Sequence, residues 1–324
     1  MLFPSRFFNL THSALRHTSI RSSLTTTLKY SSVIATPLST MSSTLSINST
    51  LSLPKSQYKI PQIGFGVYQS PKDVCVASCK KAFEAGYHHI DTAQYYANEE
   101  QVGQALAESG LPRKDVYITS KILSPGEDVE STYKKIADSV EKLAGKDGYA
   151  DLFLIHSPNG GKEARKLMWL ALKQAQEKGI VRDIGVSNYG IQHIDEIASI
   201  DSKASLPAVN QIELHPWCQQ REVVDYCKSK SIVVEAYCPI VRNEKANDET
   251  VASIAKKHNK EPNQVLIRWS LQKGFVPLPK SDTPSRIVGN VDLYGFELDK
   301  EDMAKLDGLD QGAKGAIVQA VTNA

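Results

Sequence analysis

Hydrophobic and polar positions change period repeatedly along this chain. From about residue 57, short apolar runs recur at 63–68, 88–91, 116–120, 152–156, 184–187, 208–213, 232–237 and 276–280. Between them lie charged amphipathic stretches of helical length, among them 72–85, 130–143, 163–178, 191–200, 221–230 and 249–258, and a further helix is expected to start near Asn98. Many of these runs are only four to six residues long and apolar, as parallel strands covered on both faces should be.

Eight such β-then-α units in about 250 residues predict an α/β fold, a closed (β/α)8 barrel of the TIM type. The alternative is a doubly wound open sheet, which calls for a Gly-rich dinucleotide turn after its first strand. Gly64-Phe65-Gly66 begins such a turn, but Gln69 stands where its third glycine belongs.

Residues 1–54 do not follow the alternation. They are rich in Ser and Thr, contain Arg and lack acids. Phe7, Leu10, Ala14 and Leu15 can share one helical face flanked by Arg6 and Arg16, the composition of a mitochondrial transit peptide, the alternative being a disordered tail with no address. The expected organisation is an unstructured extension over 1–54 and one barrel domain over 55–324. Initiation at Met41 would leave a complete domain, so the expected location is mitochondrial, cytoplasmic or both.

The net charge of +2 is unevenly spread. Residues 1–57 carry Arg6, Arg16, Arg21, Lys29 and Lys55 and no acid, so the remainder carries −3, which gives no reason to expect a nucleic-acid partner. No apolar run is long enough to span a membrane. The five cysteines form no CxxC pair and have no zinc-like histidine spacing, and they read as reduced thiols; no metal is expected.

In a (β/α)8 barrel the working residues stand at the carboxyl ends of the strands. Those ends read Val67-Tyr68, Asp91, Lys121, His156, Ser187-Asn188, Gln211 with Glu213, Tyr237 and Lys280. Tyr96 lies on the loop after Asp91. A phenol is a poor acid at neutral pH, but a nearby ammonium stabilises its phenolate. Asp91 can hold that ammonium, Lys121, and His156 can point an N–H at a substrate oxygen. Such a set protonates an oxygen as negative charge builds on it, which carbonyl reduction by a nicotinamide hydride requires. Asn188 and Gln211 carry amides suited to a carboxamide, and Tyr237 can stack on a nicotinamide ring. Lys280, Ser281 and Arg286, at the eighth strand end and the next helix start, suit a phosphate. Asp282, between the two cations, is a candidate helix cap.

The segments GYHHIDTAQYYANEEQVG, LFLIHSP and PLPKSDTPSRIVGN, with VSNYG, VNQIELHP and EAYCPI between the last two, resemble the aldo-keto reductase family in the family's order, over roughly residues 57–315. The resemblance implies Tyr96 as acid, with Asp91, Lys121 and His156 completing a tetrad. It implies NADPH as cofactor, with nicotinamide contacts from Ser187, Asn188, Gln211 and Tyr237, and Lys280, Ser281, Arg286 and Asn290 around the adenosine 2′-phosphate. Gly66 and Val67 complete the expected cofactor set, and Tyr68, His156 and Trp217 are the expected substrate contacts. The expected partner is a small-molecule aldehyde or ketone, with no nucleic acid and no membrane, for a monomer or weak homodimer.

The sequence departs from the family at Gly289, where many members have Glu. It also departs at Ile122-Leu123-Ser124 and Ser157, where Trp is frequent in both places, and at Cys238 in place of Ser. Most of these changes fall around the substrate mouth. Two other readings are a metal-dependent barrel hydrolase built on His89 and Asp91, which is short of ligands, and a non-enzymatic NADP-sensing subunit.

Overall fold

A computed structural model describes residues 45–54, 56–200 and 206–322. In chain order its elements are β1 (Thr50–Ser52), β2 (Lys59–Pro61), β3 (Phe65–Gly66), α1 (Lys72–Glu84), β4 (His89–Asp91), α2 (Glu99–Glu108), β5 (Tyr117–Ile122), α3 (Val129–Ala144), β6 (Ala150–Ile155), α4 (Lys162–Glu177), β7 (Val181–Ser187) and α5 (Ile191–Ser199). There follow β8 (Val209–Glu213), α6 (Arg221–Ser229), β9 (Val233–Tyr237), α7 (Glu249–His258), α8 (Pro262–Gln272), β10 (Val276–Pro277), α9 (Pro284–Gly289) and α10 (Lys300–Asp307).

Strands β3 to β10 lie side by side in chain order, every pair parallel, which is the expected (β/α)8 barrel. Two backbone bonds join its last strand to its first: Gly64 N donates to the Pro277 carbonyl and Gly66 N to the Pro279 carbonyl, both at 3.0 Å. The first and last strands are shorter than the apolar runs predict. Pro277 and Pro279 have no N–H to return, so the ladder at this seam runs in one direction only. Gly64 is also needed there, because a Cβ on it would stand 2.6 Å from Leu278 and 2.7 Å from His89.

Every residue of β5 and β6 is buried, as parallel strands covered on both faces should be. Outside the ring, Trp169, Leu172 and Ala175 of α4 pack with Phe153, Ile155 and Ile184 of the strands. At the end where the strands begin, Leu53 and Ile60 of the β1–β2 hairpin join Tyr117, Leu152, Val209 and Val276 in a separate apolar cluster, so the hairpin plugs that end.

The hairpin corrects the expected boundary of the extension. Residues 45–54 are not unstructured: Thr50–Ser52 pairs with Lys59–Pro61, and Leu53 is buried. Three-residue strands in a Ser/Thr-rich context give too little alternation to read, and only the plug contacts reveal them. The expected transit-type segment through residue 44 and the alternative start at Met41 lie outside the described residues.

Candidate active site

The tetrad expected from the sequence is drawn together at the carboxyl ends of β4, β5 and β6. Lys121 Nζ, fully buried, donates to Asp91 Oδ1 at 2.6 Å, to the Thr92 carbonyl at 2.9 Å and to the Tyr96 hydroxyl at 3.3 Å. The Lys121 ammonium therefore has one carboxylate, one carbonyl and one phenol, which uses its three hydrogens. Tyr96 ends a 3-10 turn (Gln94–Tyr96) that stops at Ala97, whose φ of 55° is left-handed. The His156 ring stands edge-on to that of Tyr96 at 5.6 Å, and the Tyr68 ring does the same from the other strand end at 5.0 Å.

Protonation states follow from burial and from the single cation. Burial raises the Tyr96 phenol, and the Lys121 ammonium draws it down without overcoming that rise, so Tyr96 keeps its proton. Burial, then Lys121, push His156 down to about 3 and His89 down to about 3, so both rings are neutral. Asp91 attracts the Lys121 charge and helps keep it above its ordinary value, against the cost of burying the ammonium.

The turn that carries Tyr96 is held by Asn98. This residue occupies the N-cap position of α2, as expected, but its side chain does not cap the helix. Instead it accepts from the Thr92 hydroxyl at 2.8 Å and donates to the carbonyls of Val67 (2.9 Å) and Ser70 (3.3 Å). Asn98 thus ties the β3 and β4 ends together beneath Tyr96.

A second network occupies β7 to β9. Ser187 donates to the Gln211 carbonyl at 2.8 Å, and Asn188 donates to the His156 carbonyl at 3.0 Å and to the Ser187 hydroxyl at 3.1 Å. The half-buried Tyr237 donates its hydroxyl to Asn188 Oδ1 at 2.9 Å. Gln211 reaches into the first network, donating to Asp91 Oδ2 at 2.8 Å. The expected catalytic and nicotinamide residues therefore form one continuous set of contacts.

The expected phosphate residues lie at the neighbouring strand end. Gly66 bonds to the Pro279 carbonyl beside Lys280, and a Cβ on it would stand 3.4 Å from the Leu278 carbonyl. The Arg286 side chain is exposed and makes no hydrogen bond or ion pair with any described residue. Asp282 does not cap α9: it pairs with Lys280 and accepts from the hydroxyls of Ser70 (2.6 Å) and Ser78 (3.0 Å). Ser281 accepts from Thr283 N at 3.1 Å. Asn290 is buried at the C-terminal end of α9, accepting from Asn263 at 2.5 Å.

The remaining expected substrate residue is Trp217. Trp217 is buried in the main apolar cluster, and its carbonyl accepts from Gln311 N at 2.9 Å under the C-terminal segment. That segment is fastened by Glu213, whose carboxylate accepts from the N–H groups of Ile317, Val318 and Gln319 at 2.6–2.8 Å.

A family model for the aldo/keto reductase family matches residues 62–311, which contain the whole of this constellation. The chain belongs to the aldo/keto reductase family. This aldo-keto reductase is 46% identical over 257 residues to an uncharacterized oxidoreductase of Schizosaccharomyces pombe, covering 78% of the chain and 91% of the relative. It is 41% identical over 254 residues to the glyoxal reductase of Bacillus subtilis, covering 78% and 90%. Among solved structures it is similar to the Bombyx mori aldo-keto reductase in complex with NADP, with a TM-score of 0.75 and 30% identity over 83% of this chain and 95% of that one.

Sequence reasoning missed Thr92, Asn98 and Glu235 as parts of the site. Thr92 acts through its carbonyl, which no side-chain pattern betrays. Glu235 stands two residues before Tyr237 on one strand, so period-two alternation alone turns it into the barrel.

Proposed function

We propose that this chain reduces aldehydes or ketones to alcohols with NADPH, Tyr96 giving the proton. The observation that carries the reading is the Lys121 ammonium held between Asp91 at 2.6 Å and the Tyr96 hydroxyl at 3.3 Å. Lys121 meets the phenolate that forms as the proton leaves, and Asp91 keeps that charge in place. His156, neutral, has a ring N–H to offer the substrate oxygen. It thereby orients the carbonyl toward the Tyr96 hydroxyl without adding a second positive charge.

The residues present fit a nicotinamide dinucleotide bearing a 2′-phosphate. Gln211 gives both amide hydrogens to carboxyl groups, so its carbonyl oxygen remains to accept from a carboxamide. Tyr237 keeps part of its ring open for stacking. Arg286, unpaired among the described residues, and Lys280 supply the charge that a phosphate needs. When bound, the reduced nicotinamide supplies the hydride; the proton and the orientation come from the chain. A related structure holds NADP, which supports this choice over NADH.

The substrate side is open. Leu123 is exposed and Ser157 half-buried where bulkier side chains are frequent, and Tyr95 is exposed beside His156 at 6.1 Å between rings. The named activity of the glyoxal reductase favours small, reactive carbonyl compounds, and the open mouth does not hinder their entry. NADPH oxidation against a carbonyl panel tests the reading. Turnover with small dicarbonyls is expected, and absence of turnover with every member, while NADPH still binds, would favour a cofactor-sensing role.

A further inference from the structure

One carboxyl group inside the barrel has no part in the reaction as described. Glu235 of β9 is fully buried. Its Oε2 accepts from Gln211 Nε2 at 2.8 Å, while its Oε1 has no hydrogen-bond partner and lies 3.7 Å from His89 Nε2. The same Gln211 nitrogen donates to Asp91 Oδ2 at 2.8 Å. A single amide therefore bridges two carboxyl groups, one inside the tetrad and one outside it.

Counting charges decides which of the two holds a proton. The groups facing Glu235 are His89 and Asp91 of β4, Tyr117 and Lys121 of β5 and Gln211 of β8; β10 brings Val276 and Pro277 beside it. Lys121 is the one cation among them, and its three hydrogens go to Asp91, Thr92 and Tyr96. His89 is neutral and bonds to Thr119 at 2.9 Å. An ionised Glu235 would have one hydrogen-bond donor and no counter-charge in a fully buried position, an arrangement that proteins avoid by keeping the proton. Burial first, and then the charge of Asp91, push the Glu235 carboxyl up to about 8.

We propose that Glu235 is a positioning residue that works as a neutral acid, holding the Gln211 amide in the orientation that leaves its carbonyl oxygen for the nicotinamide carboxamide and leaving Lys121 undivided for Asp91 and Tyr96. Loss of that proton to solvent sets a second negative charge beside Asp91. The added charge opposes formation of the Tyr96 phenolate, so Tyr96 becomes a weaker donor. The site thus carries an alkaline limit that belongs to Glu235. This inference rests on the assignment of Tyr96 as proton donor.

Two measurements on the full chain test it. Infrared spectra of protein labelled with 13C-glutamate are expected to show a carboxylic-acid C=O band at about pH 6 that is lost by about pH 10. Glu235→Gln removes that band. Glu99, the other buried glutamate raised by burial, is controlled by Glu99→Gln, in which the band survives. The kcat for NADPH-dependent reduction is expected to fall across the same interval in the unmodified enzyme, and in Glu235→Gln this fall moves up by at least about one pH unit. A merely structural role would not shift the profile. Absence of any glutamate-derived acid band at neutral pH overturns the proposal without recourse to a variant, as does a pH profile that Glu235→Gln leaves in place. If instead Tyr96→Phe stays active, the reading of Tyr96 fails while the infrared result still reports Glu235.

Discussion

The Lys121 ammonium lies 2.6 Å from the Asp91 carboxylate, across neighbouring parallel strands, with both groups buried. A buried pair of this kind is costly to break, because the partner left behind keeps its charge without compensation. Here the pair is also the device that presents a positive charge to Tyr96.

Asp91→Asn and Lys121→Met should each lower kcat for carbonyl reduction by at least about 10²-fold. They should differ in stability. Asp91→Asn strands the ammonium and is expected to cost about 3–5 kcal/mol. Lys121→Met costs less, since Asp91 keeps the hydrogen bond from the Gln211 amide. Steady-state kinetics with denaturant unfolding of each variant checks both; equal destabilisation would show that Lys121 is not the charge at risk.

Cofactor choice should follow the charges around β10 and α9. A charge-assisted hydrogen bond contributes about 1.5–3 kcal/mol, so NADPH should exceed NADH by at least about tenfold in kcat/KM. The Asp282 carboxylate already engages Lys280, so Arg286 should carry the larger share. Lys280→Gly with Arg286→Ala should narrow the ratio mainly by raising the NADPH KM. Equal use of both cofactors by the unmodified enzyme would deny a phosphate site here.

Much of this was legible in the sequence because the barrel sets a simple rule: polar residues that end apolar runs meet at one rim. Asp91, Lys121 and His156 could be read in that way, and Gln211 and Tyr237 joined the same rim by alternation. What could not be read depends on the ring being closed. The hairpin Thr50–Ser52 with Lys59–Pro61 shows itself only against the strand ends that it plugs. The cover over Trp217 could not be read, because no local pattern reveals that the segment after Leu309 folds back on it. Asp282 looked like a cap because its serine partners on and before α1 are some 200 positions away in sequence.

Acid stability should report His89. Its folded value of about 3 is depressed from the ordinary 6.5 by burial and by Lys121. The stability it contributes is therefore present above about pH 6.5 and is lost as pH falls toward about 3. Glu235 has the opposite sign, since a raised acid adds stability as pH falls from about 8 toward its ordinary value. The difference between unmodified protein and His89→Gln isolates the histidine. Between about pH 7 and about pH 5 that difference should move by about 2 kcal/mol in favour of the variant. A constant difference would mean that His89 takes up its proton in the fold as readily as in the unfolded chain.

We propose that residues 1–40 form a mitochondrial address dispensable to the barrel. A chain starting at Met41 should keep its thermal midpoint and its activity, and a reporter fused to residues 1–40 should collect in mitochondria. A diffuse cytosolic signal would leave only a tail without an address.

The kcat of Tyr96→Phe, measured with NADPH binding followed separately by fluorescence, tests the account most directly. Removing one hydroxyl takes away the proposed proton donor and leaves the ring packing with Tyr68 and His156 in place. Carbonyl reduction should be abolished while NADPH binds as before. Near-normal kcat with cofactor still bound would contradict it.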